Sequence, residues 1–79
     1  MKIQTAVALK VAQLLSKHKI TEYQLAKRMA TSQSTIQHIL NDEYKSIKFD
    51  TLMKIADAFS ITIQQFLNDD LFNKENLDY

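Results

Sequence analysis

The side chains best placed to do chemistry lie between residues 33 and 41, QSTIQHILN, and they are hydrogen-bonding groups rather than nucleophiles or acids. Gln33 offers a donor and an acceptor on one amide, the bidentate geometry that matches adenine N6 and N7 in the major groove of duplex DNA. Ser34 donates or accepts and presents its Cβ to a thymine methyl. Gln37 and His38 follow Ser34 at i+3 and i+4, one helical turn on, so they track the same face. Other chemistries find little support. With no Gly in the chain, a Gly-rich phosphate loop and a nucleophile elbow have nothing to be built from. With no Cys, and with His18 and His38 on separate helices outside any His-x-x-x-His pair, no metal site is expected. Asp69 and Asp70 form a carboxylate pair, but within an acidic tail they read as solvated charge. No cofactor and no enzymatic activity are expected.

A polar face is useful only if helices hold it. Ser32 is a good N-cap for a helix over about 33–41, with Ile36, Ile39 and Leu40 as its apolar stripe. Before it, Thr21 and Gln24 have the spacing of a capping box opening a helix over about 22–29, whose inward residues are Leu25, Ala26 and Met29. The two form a pair of short amphipathic helices joined by a tight turn, the arrangement that lays a second helix in the major groove. A first helix is predicted from about Thr5 to His18, with Val7, Val11, Leu14 and Leu15 on one side. A polar loop covers 42–48. A fourth helix spans about 49–59 with Leu52, Ile55, Ala56 and Phe59 inward, and a second capping box, Thr62 with Gln65, opens a fifth over about 63–68. The chain of 79 residues has neither Gly nor Pro, which argues for helices over hairpins, and its 46% hydrophobic content suffices for one small core. The fold class is all-α.

At this point the chain resembles a known family. Residues 22–41 are similar to the twenty-residue helix-turn-helix of the phage repressor/Cro type, the XRE-like regulators, with Ala26, Ala30 and Ile36 at its small-residue, turn and core positions. Residues 49–59 and 61–67 resemble that family's fourth and fifth helices, so the resemblance covers about residues 6–67. It implies a compact five-helix repressor-like domain over 1–67, with the helix-turn-helix formed by helices 2 and 3, followed by an acidic tail or helix extension over 68–79. It further implies a sequence-specific transcriptional regulator, a repressor, binding double-stranded DNA as a homodimer on an inverted repeat. Base readout would fall to Gln33, Ser34, Gln37 and His38. Phosphate contacts would fall to Thr21, Ser32, Asn41, Tyr44, Lys45, Ser46 and Lys48. Ile63, Leu71 and Phe72 would form the dimer interface. The same fold also serves as the antitoxin of toxin–antitoxin pairs, where the C-terminal surface holds a protein partner, and this is the alternative reading.

Two departures from the family pattern bear on these expectations. Relatives often place Gly in the turn after helix 2, after helix 3 and after helix 4, where this chain has Ala30, Asp42 and Ser60. A left-handed backbone at such residues costs on the order of 1–2 kcal/mol, less for Asp. Glu22 stands where relatives commonly have a phosphate-binding Gln, and a carboxylate there is repelled by phosphate.

Charge is segregated along the chain. Residues 1–48 carry eight Lys/Arg against three acids, and residues 49–79 carry two Lys against six acids, so a +5 half precedes a −4 half within a net charge of +1. The basic half holds the helix-turn-helix, the distribution a one-sided polyanion footprint would have. Lys10, Gln13 and Lys17 interrupt any signal-peptide core, and no apolar run approaches the roughly 18 residues of a membrane span. A cytoplasmic protein is expected.

Overall fold

A computed structural model describes residues 1–78 and contains helices α1 (Ile3–His18), α2 (Glu22–Arg28), α3 (Gln33–Leu40), α4 (Phe49–Ala58) and α5 (Ile63–Leu67). Two single 3-10 turns, Asp70–Phe72 and Lys74–Asn76, follow. No strand occurs among the described residues. The first helix begins two residues ahead of the expected start. Lys2 precedes it in an extended conformation and supplies no side-chain cap, so nothing in the local sequence marks that boundary.

Each helix buries one stripe. Val7, Val11 and Leu14 of α1, Leu25 and Ala26 of α2, Ile36 and Ile39 of α3, Leu52, Ile55, Ala56 and Ala58 of α4 with the adjoining Phe59, and Phe66 of α5 converge in one core. Phe66, Leu25, Ile36 and Ile55 are fully buried, and no polar or charged residue is buried among those described. The core therefore fixes the position of α3 through Ile36 and Ile39, leaving its opposite face in water. Both expected capping boxes form. Thr21 Oγ1 accepts from Gln24 N–H at 3.1 Å while Gln24 Oε1 accepts from Thr21 N–H at 2.9 Å, and Thr62 and Gln65 do the same at 3.0 and 2.8 Å.

Helices α1 to α4 all end in one way. After each, a residue takes the left-handed conformation: Lys19 (φ 55°), Ala30 (φ 53°), Asp42 (φ 57°) and Ser60 (φ 58°). In each case the next N–H reaches back five residues, from Ile20 to Leu15 O (3.2 Å), Thr31 to Ala26 O (3.0 Å), Glu43 to His38 O (3.0 Å) and Ile61 to Ala56 O (3.0 Å). This is the Schellman ending, which satisfies orphan carbonyls and usually recruits Gly at the left-handed position. Ile20 and Ile61 then pack on the core and lock their turns. A further contact holds the α2 and α4 ends together: Arg28 Nη1 donates to Ala58 O at 3.0 Å. That engages the guanidinium at the carboxyl end of α4, where a cation is favoured by the exposed carbonyls.

The residues after α5 fold back on α1. Lys10 Nζ donates to Asp69 Oδ2 at 3.0 Å in a largely shielded ion pair, and Asp69 Oδ1 accepts from Leu71 N–H at 2.9 Å. The Leu71 N–H and then the Lys10 ammonium hold the Asp69 carboxyl below its ordinary value. The folded state therefore binds this proton less readily than the unfolded chain does. The stabilisation is complete above the unfolded aspartate value and is lost as pH falls through the lower, folded one. Amide protection of residues 69–72 is expected to decline on acidification from about pH 5 to about pH 2, and Asp69→Asn should show the weaker protection across the range. A wild-type profile without that decline would remove the ion pair as the anchor.

Candidate nucleic-acid interface

The turn between α2 and α3 is made by Ala30 and Thr31, with Ser32 as the N-cap of α3. Ser32 Oγ accepts from Thr35 N–H at 3.2 Å and lies 2.9 Å from Thr35 Oγ1. Capping oxygens at Thr21 and Ser32 start both helices of the pair, and Leu25, Ala26, Ile36 and Ile39 hold the pair to the core. What faces outward on α3 is Gln33, Ser34, Gln37 and His38, all exposed.

These four are not equivalent. Gln37 makes no side-chain hydrogen bond among those described and stands free on the face. Gln33 shares an open groove with Thr21, Glu22 and Tyr23 at the start of α2 and with Ala12, Leu15 and Ser16 of α1. The Glu22 carboxylate thus borders the groove in which Gln33 sits. Ser34 Oγ lies 3.3 Å from Ser32 Oγ, drawn toward the cap. His38 is engaged on two sides, with Nδ1 3.2 Å from Glu43 Oε1 and its ring edge-on to Tyr44 at 6.0 Å between centroids. Glu43 was not singled out in the sequence. Its signal is its place directly after the left-handed residue that ends α3.

The other expected contact residues separate into groups. Thr21 and Ser32 are exposed but already accept capping hydrogen bonds. Tyr44, Ser46 and Lys48 line one cleft of about 250 Å³ together with Thr35 and Ile39 of α3, so the 41–48 loop is folded against the second helix rather than extended from it. Asn41 and Lys45 are exposed beside that cleft. Lys27, an alternative cation on α2, sits over the Tyr23 ring with its Nζ 5.4 Å from the centroid.

Toward the C-terminus, Ile63 and Phe72 are half-buried against the core, Phe72 lying 5.7 Å from Phe66 between centroids, and Leu71 is also half-buried. A more exposed apolar pair is Phe49 (58%) and Met53 (44%), one turn apart on α4 and off its buried stripe. Sequence reasoning passed over these two. Their signal was a Phe and a Met at i, i+4 displaced from the Leu52–Ile55–Ala56–Phe59 face. No group of three or more His, Cys, Asp or Glu suited to a metal occurs among the described residues, and none of their helices is long and apolar enough to cross a membrane.

The family model for the Cro/C1-type HTH DNA-binding domain matches residues 10–70, a span that runs from α1 through the Lys10–Asp69 ion pair. No curated protein matches the chain.

Proposed function

The chain belongs to the Cro/C1-type helix-turn-helix DNA-binding family, and from that premise we propose that it is a sequence-specific transcriptional regulator. It reads the major groove with Gln33, Ser34, Gln37 and His38 of α3, and acts as a repressor by occupying its operator. The observation that carries this reading is the division of α3: Ile36 and Ile39 are buried while four hydrogen-bonding side chains at helical spacing stand in water. An amide such as Gln37, free on a rigidly held helix, is suited to bidentate pairing with adenine. Phosphate contacts then position the helix without reading sequence. Tyr44, Lys45, Ser46, Lys48 and Asn41 serve on one side, and Thr21 and Ser32, near the starts of α2 and α3, on the other. The basic charge of residues 1–48 supports the same orientation.

One eight-residue helix reads too few bases to define a site in a genome, so the regulator acts as a homodimer on an inverted repeat. Ile63, Leu71 and Phe72 are the interface residues of this reading, and the exposed Phe49 and Met53 add apolar surface for it. Selection of bound duplexes from a random pool at moderate salt tests the proposal. An inverted repeat with half-site centres about 10–11 base pairs apart is expected. Recovery of no consensus would overturn sequence-specific regulation and leave the antitoxin-like protein-binding role as the alternative.

A further inference from the structure

The outward face of α3 carries one acid–base pair, His38 with Glu43, both about half exposed. Asp42 reverses the chain at the end of α3, and the Glu43 N–H closes onto the His38 carbonyl at 3.0 Å. Residue 43 is thus tied to residue 38 through the backbone as well as through the side chain, and Tyr44 bounds the ring on a further side. An ionised carboxylate only accepts hydrogen bonds, so the nitrogen facing it, Nδ1, carries a proton. In the neutral imidazole that leaves Nε2 as a bare acceptor. Glu43 also opposes binding to any phosphate backbone, whatever the sequence.

We infer that Glu43 is a positioning residue for base readout, an inference that rests on the DNA-reading role of α3. By holding the proton on Nδ1 it makes His38 Nε2 an acceptor, suited to an exocyclic amine, adenine N6 or cytosine N4, at one base pair of each half-site. Without Glu43 the proton is free to occupy Nε2, which turns that atom into a donor suited to guanine O6 or N7. The carboxylate sets which base His38 prefers while weakening affinity for all sequences alike.

Two measurements test this. Long-range proton–nitrogen correlation spectra of the free protein at about pH 8.5, where imidazole is ordinarily neutral, should show His38 protonated at Nδ1, with the Nε2–H form rising in Glu43→Ala. A wild-type ring protonated at Nε2 overturns the inference without reference to DNA. Duplex selection at the same pH is then run on the wild type, Glu43→Ala and His38→Ala, the last variant mapping the base pair that His38 reads. Glu43→Ala should bind all duplexes more tightly, and at that base pair its preference for an amine-bearing base should fall roughly fivefold or more. General tightening with the preference intact would reduce Glu43 to a charge effect and overturn its positioning role, leaving the regulator reading in place. Absence of any wild-type consensus would remove both, even with the Nδ1–H tautomer observed.

Discussion

Replacing Lys19, Ala30 and Ser60 together by glycine is expected to raise the melting temperature by about 10 °C. All three hold φ between 53° and 58°, the left-handed region in which a Cβ crowds the backbone. Relief of that crowding is worth about 1–2 kcal/mol per residue, and glycine's greater freedom in the unfolded chain returns about 0.5–1 of it. The net gain is about 0.5–1 kcal/mol at each site. The residues end three different helices, α1, α2 and α4, so their effects should nearly add, to about 2 kcal/mol. For a domain of this size each kcal/mol moves the midpoint by about 4–8 °C. Asp42 is left unchanged because Asp tolerates the region and its Oδ2 accepts from Thr5 Oγ1 at 2.6 Å, a tie from α1 to the end of α3. Glycine at Lys54, exposed within α4, is the control and should lower stability by about 1 kcal/mol. A triple variant no more stable than the wild type would show that these endings are relaxed by their packing.

Much of this architecture was legible because it is local. A capping box joins residues three apart, and both boxes could be found by eye. The endings at Ala30, Asp42 and Ser60 were marked by the absence of a residue, Gly, from places where the resemblance led one to expect it. Lys19 carried no such mark. Its conformation follows from Ile20 turning inward onto the core, a demand of packing that a lysine side chain does not announce. The docking of residues 69–78 on α1 was out of reach for the same kind of reason. Lys10 and Asp69 are 59 positions apart, and an acidic stretch with few apolar residues reads as solvated until its partner is known. At the candidate interface the outward residues of α3 follow from helical periodicity alone. The His38–Glu43 pair does not, because the two are five apart and would diverge on a continuing helix. They meet only because the chain reverses at Asp42.

Substitution of Gln33 and of Lys48 should weaken DNA binding in two different ways. Gln33 occupies the first turn of α3, exposed, with its helix capped independently by Ser32. Gln33→Ala should therefore fold normally and lose about 1–3 kcal/mol of discrimination at one base pair of each half-site, with other positions unchanged. Lys48 stands beside the cleft formed by Tyr44, Ser46 and α3, and its contribution is charge. Lys48→Ala should lower affinity for every sequence by a similar factor. The slope of log affinity against log salt should fall by about one, since one fewer counterion is released per protomer contact. The comparison is internally controlled: loss of fold would depress both affinity and specificity in either variant, whereas the expected effects are separable. Glu22 sharpens it, because a carboxylate bordering the groove of Gln33 leaves that amide without a phosphate-binding neighbour there. Gln33 must then hold its orientation through the base it meets, so its removal should be felt at that base and not in the salt slope. If Gln33→Ala changed the slope and left base preference intact, α3 would be lying along the phosphates rather than in the groove.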